Sequence, residues 1–116
     1  MLGPVLSHGG HLTHGHGVNF SGELYDFGTY AINRDTERFE KEDLLEAARE
    51  HQPELIVTGF SAYPREFDFE MYAEVAEEVG AKLMADVAHI SGLVATGEHQ
   101  MPFPHCDLVT TTTHKS

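Results

Sequence analysis

Cysteine is nearly missing: Cys106 is the single one in 116 residues, which excludes an internal disulfide framework and fits a reducing cytosol. It reads as a small buried residue rather than a nucleophile. Basic residues are scarce as well, seven Lys and Arg against nineteen Asp and Glu, for a net charge of −12. That balance argues against nucleic acid as a partner, because phosphate binding needs a cationic face. No apolar run approaches the roughly 20 residues that span a bilayer. The opening residues lack the basic-then-apolar order of a secretory signal, Gly and His interrupting them at once. These absences lead to an expectation of a cytoplasmic protein with no membrane partner. Repeats, low-complexity tracts and interdomain linkers are absent too, so residues 1–116 read as one α/β piece without an internal boundary.

Hydrophobic residues make up 41% of the chain, enough for a real core in a small domain. Residues 1–22 are rich in Gly and His without a period, and read as loop with short helical pieces. Residues 23–33 suggest short extended segments or a hairpin. Between 41 and 51 the pattern turns helical, with Leu44, Leu45 and Ala48 on one stripe, acids opposite and Pro53 as the stop. Leu55-Ile56-Val57-Thr58-Gly59 is a continuously apolar strand of the kind buried on both faces. A second helix is expected over 68–79, with Phe69, Tyr72, Ala76 and Val79 in step and Gly80 ending it. Strands follow at 82–86 and 107–112. Strand, helix, strand in repetition predicts parallel βαβ units, here a three-strand portion with flanking helices. The acids at 37–54 and 66–78 fall on helix exteriors, as a solvated surface or as an adaptation to high salt.

In open parallel sheets, ligands sit beyond the carboxyl ends of the strands. Ser61 follows the first strong strand, Asp86 ends the second and Lys115 follows the third, so three polar groups converge on one edge. A lysine after a β-branched run, with an aspartate at a neighbouring strand end, is what pyridoxal phosphate chemistry requires. The amine forms a Schiff base with the cofactor's carbonyl, and the carboxylate keeps a pyridine nitrogen protonated. The plainer alternatives are a solvated lysine and a helix N-cap at Asp86.

Five motifs extend this reading along the chain. They are Leu6-Ser7-His8-Gly9-Gly10-His11-Leu12-Thr13-His14-Gly15 with Val18-Asn19-Phe20-Ser21-Gly22, Gly59-Phe60-Ser61-Ala62-Tyr63-Pro64-Arg65, Asp86-Val87-Ala88-His89-Ile90-Ser91-Gly92-Leu93-Val94-Ala95, and the closing Thr110-Thr111-Thr112-Thr113-His114-Lys115. In this order they resemble serine hydroxymethyltransferase. The resemblance implies part of the large cofactor domain of fold-type I pyridoxal phosphate enzymes, a mainly parallel sheet with flanking helices. It implies interconversion of serine plus tetrahydrofolate, or a modified pterin, with glycine plus the methylene carrier, in a homodimer or tetramer.

Residue by residue, the resemblance assigns the Schiff base to Lys115 and the pyridine nitrogen to Asp86. His89 and Ser61 take the phenolic oxygen, and His11 stacks on the ring. Leu6, Gly10, His11 and Leu12 contact folate, while Thr112 and His114 govern substrate preference and exchange at the lysine; His114 also hints at activity on threonine-like substrates. The family's upstream phosphate-binding residues and its downstream carboxylate-gripping arginine have no match in 1–116, and Arg34, Arg38, Arg49 and Arg65 do not stand in that position. The chain therefore reads as an internal portion, expected to turn over weakly or not at all alone. A rival constellation, His8, His11, His14 and His16 with His105-Cys106, has good metal ligands but lacks the His-Glu-x-x-His or paired Cys-x-x-Cys spacings of zinc sites. It leaves a metal-binding or purely structural module as the alternative.

Overall fold

The computed structural model describes residues 1–115. In chain order it holds β1 (Leu2–Pro4), a 3-10 turn (Leu6–His8), α1 (Phe20–Leu24), β2 (Gly28–Tyr30), α2 (Lys41–His51), β3 (Leu55–Thr58), α3 (Phe69–Val79), β4 (Lys82–Asp86), α4 (Ser91–Thr96) and β5 (Leu108–Thr110). The strands form one sheet in the order β2-β1-β3-β4-β5, and every pairing is parallel. The chain is thus an α/β fold with helices flanking a parallel sheet.

Burial explains why these segments take these forms. In β3, Ile56 and Val57 are both sealed from solvent although they point to opposite faces, which only a strand covered on both sides allows. The stripe on α3 buries Phe69, Tyr72, Val75 and Ala76, and α2 buries Leu44 and Ala48. These two helices pack on each other and over β2, β3 and β4. Aromatic rings fill the space towards the carboxyl edge: Phe39 and Phe60 stack at 4.6 Å, and the Tyr30 hydroxyl donates to Val57 O at 2.7 Å. Among the described residues no helix is long and apolar enough to cross a membrane.

Three expectations are corrected. The sheet has five strands among the described residues, not three. Residues 1–22 are not all loop and helix, since Leu2–Pro4 forms β1 between two neighbours. It is short, and it ends in a proline, a residue that argues against a central strand because it donates no ladder bond. Of the two forms expected for 23–33 the hairpin is overturned: the short extended segment is present as Gly28–Tyr30, but it pairs in parallel with β1, in register Leu2 to Gly28. A three-residue strand carries little alternation of its own: the run at 107–112 still revealed β5, whereas for β1 and β2 the partner across the ladder is what local sequence leaves open.

Candidate active site

Chain order reverses at β1, with β2 on one side and β3 on the other. Such a reversal opens a crevice at the carboxyl ends of the strands, because the flanking connections depart in opposite directions. The loops leaving β1, β3, β4 and β5 meet there. They enclose a cavity of about 230 Å³ lined by His11, His14, Ser61, Asp86, Ala88, His89, Thr112 and Lys115, among others.

Close backbone approach builds this corner. Gly59 has φ of +94°, and a Cβ there would lie 2.0 Å from Asp86 O, so the turn after β3 passes directly over the end of β4. Only glycine accepts both conditions. The turn then delivers Ser61, whose N–H donates to Gly9 O at 2.8 Å and ties the glycine-rich loop after β1 to the same edge.

Asp86 is held at both oxygens. His14 Nε2 lies 3.2 Å from Oδ2, and Oδ1 accepts the Ala88 N–H at 3.2 Å. The hydrogen bond from His14, more than any other influence, draws the carboxyl below its ordinary value; burial opposes it and the Ala88 N–H adds to it. Across the cavity, Lys115 Nζ stands 3.4 Å from His89 Nε2, a long contact with both side chains open to solvent. Two hydroxyl oxygens, Ser61 Oγ and Thr112 Oγ1, are buried without a partner among the described residues. An unsatisfied buried hydroxyl costs about 1–3 kcal/mol, and a polar group in the cavity that bonded to either one would recover part of that.

The sequence-expected residues divide into two sets. His11, Ser61, Asp86, His89, Thr112 and Lys115 line the cavity. His114 is exposed and outside that lining. Leu6 lies on a neighbouring cavity of about 480 Å³, which His11 and His14 also border. Gly10 is buried, a Cβ there meeting Pro4 O and Val5 O at 2.9 Å, and Leu12 is 41% exposed; neither lines either cavity.

The N-cap alternative for Asp86 is corrected: α4 begins at Ser91 after Ile90, and the Asp86 carboxylate takes the Ala88 N–H in a tight turn instead. The histidine-rich run does not assemble a metal centre either. His8 Nδ1 accepts from Ile32 N, His16 Nδ1 accepts from Val18 N, and His14 turns to Asp86. Among the described residues no group of three or more His, Cys, Asp or Glu is arranged to hold a metal ion.

His14 itself is the residue that sequence reasoning missed as part of this site. Its partner lies 72 positions away, and no local spacing encodes that pairing. A family model described as serine hydroxymethyltransferase matches residues 1–116, the whole of the sequence. With that match over this parallel sheet and its carboxyl-edge cavity, the chain belongs to the serine hydroxymethyltransferase family.

Proposed function

We propose that the protein works with pyridoxal phosphate to interconvert serine and tetrahydrofolate with glycine, methylenetetrahydrofolate and water, a modified pterin being an equivalent carrier. The observation that carries this is the shared cavity, in which the Lys115 amine, the Asp86 carboxylate and two orphaned hydroxyls face one space. That donor set suits the group: an amine for an aldehyde, an anion for a pyridine nitrogen, and hydroxyls for a phenolic oxygen. Bound there, pyridoxal phosphate supplies a carbonyl that captures amines and a ring that accepts electron density from bonds at the amino acid's Cα.

The chain's own residues do the rest. Lys115 would hold the cofactor covalently, and His89, whose Nε2 stands 3.4 Å from its Nζ, would contact the cofactor on its phenolic-oxygen side. Asp86 would hold a proton on the ring nitrogen, a task its hydrogen bonds favour by keeping it ionised. Ser61 and Thr112 offer their unpaired hydroxyls, and His11 forms the wall beside His14.

The test is covalent trapping. Purified protein is given pyridoxal phosphate, reduced with borohydride, digested and mapped by mass spectrometry. The expected result is cofactor mass on Lys115, absent in Lys115→Ala; residues 1–116 alone are expected to form little or no glycine from serine, and a chain that also carries the phosphate- and carboxylate-binding residues to form it in a pterin-dependent way. Label on other lysines alone, or undiminished label in Lys115→Ala, would refute the assignment.

A further inference from the structure

We infer that His14 is a positioning residue: through Nε2 it fixes the orientation of the Asp86 carboxylate in the cavity and leaves that carboxylate its charge. The inference rests on the pyridoxal phosphate reading for its purpose, and on geometry alone for its substance.

The pair is not a surface contact. The His14 side chain is 4% exposed and that of Asp86 27%, so water competes poorly for either partner. Carboxylates at strand ends turn readily about their last torsion, whose well is broad. Here one oxygen is tied to a side chain arriving from the loop after β1 and the other to the Ala88 N–H, and two anchors set the plane of the group. The loop that delivers His14 is itself seated tightly. The His14 N–H donates to His11 O at 3.0 Å, and a Cβ on Gly3 would come within 2.7 Å of His14 O.

The other ring nitrogen decides how the pair is charged. His14 Nδ1 is buried and has no partner among the described residues. A doubly protonated ring would place an N–H donor there with nothing to receive it, at a full desolvation penalty. A neutral ring with its proton on Nε2 leaves only an idle acceptor at Nδ1, a smaller loss. The proton therefore points at Asp86 Oδ2, and the bond is between a neutral donor and an anion. A fixed positive charge at that place would cancel the negative field that a ring nitrogen needs; a neutral donor orients the carboxylate without cancelling it. His14 touches the carboxylate, and through it would act on the cofactor.

Two variants and three readouts test this. His14→Leu removes the donor, and His14→Gln keeps an N–H near the Nε2 position. In protein without cofactor, carboxyl ¹³C titration of Asp86 is expected to shift upward in His14→Leu and to return most of the way in His14→Gln. With pyridoxal phosphate added, His14→Leu is expected to retain it about tenfold less tightly, the scale of one lost hydrogen bond to a charged group, and His14→Gln to recover most of that. In the unaltered protein, imidazole ¹⁵N spectra should show a protected proton on Nε2 and a bare Nδ1. An unchanged Asp86 titration in His14→Leu, or a proton on Nδ1, overturns the inference. Should His14→Leu fail to fold, the ¹⁵N spectrum and His14→Gln decide alone. If the unaltered protein takes up no pyridoxal phosphate, the functional reading fails, while the Asp86 titration still judges His14.

Discussion

Cys106 sits half-buried beside Asp107, and burial first, then the neighbouring negative charge, pushes its thiol up to about 11. At pH 8 that leaves roughly two-hundredfold less thiolate than a free cysteine of pKa about 8.5 carries. A more basic thiolate is a better nucleophile, which returns about tenfold of the difference. Alkylation by iodoacetamide at pH 8 is therefore expected to run about twentyfold slower than for a free thiol, and to rise steeply above pH 9. A rate equal to that of glutathione would contradict the burial. The same logic separates the residues of the cavity. Asp86 is kept charged by donors aimed at it, whereas Ser61 and Thr112 are buried with nothing aimed at them.

Among the elements, α3 shows how a helix is bounded at both ends. Asp68 Oδ1 accepts the Met71 N–H at 3.0 Å at its start, and Gly80, at φ of +72°, returns its N–H to Ala76 O and Glu77 O at its close. By contrast α2 opens at Glu40 with no side-chain cap and ends at Gln52 in a left-handed turn, so it depends more on Leu44 and Ala48 packing inward. Replacing Asp68 by alanine is expected to destabilise the fold by about 1 kcal/mol, with Asp68→Asn close to neutral, as read from the midpoint of urea unfolding. Equal losses in both variants would show that the charge, not the cap, is what matters. Because α3 lies over β3 and β4, loosening its first turn acts next to the segment that carries Ser61.

The whole molecule is governed by its charge. Nineteen acids against seven Lys and Arg make self-repulsion the main long-range term. Ion pairs between α2 and α3, Lys41 with Glu74 and Arg49 with Glu78, oppose it locally, but both are largely exposed. Pairs of that kind contribute about 0–1 kcal/mol each. Raising chloride salt from about 0.1 to 1 M shortens the screening length from about 10 to 3 Å. Repulsion among the acids is then lost faster than these few attractions, and the melting temperature is expected to rise. A fall would mean that the exposed pairs outweigh the repulsion.

What local pattern encodes was open to reading. The stripes of α2 and α3, the Asp68 and Gly80 ends, and the apolar run of β3 all follow from residues within a dozen positions of one another. Because parallel strands end on the same edge, element order alone brought Ser61, Asp86 and Lys115 to one side of the sheet. Strand β1 was hidden in a stretch rich in Gly and His, and β2, readable as a short extended segment, gave no sign of its parallel partner. The order β2-β1-β3-β4-β5 and the bond from His14 to Asp86 belong to the tertiary structure. Both join segments far apart in the chain, and which distant partner wins is set by the packing of the whole sheet rather than by any spacing along the sequence.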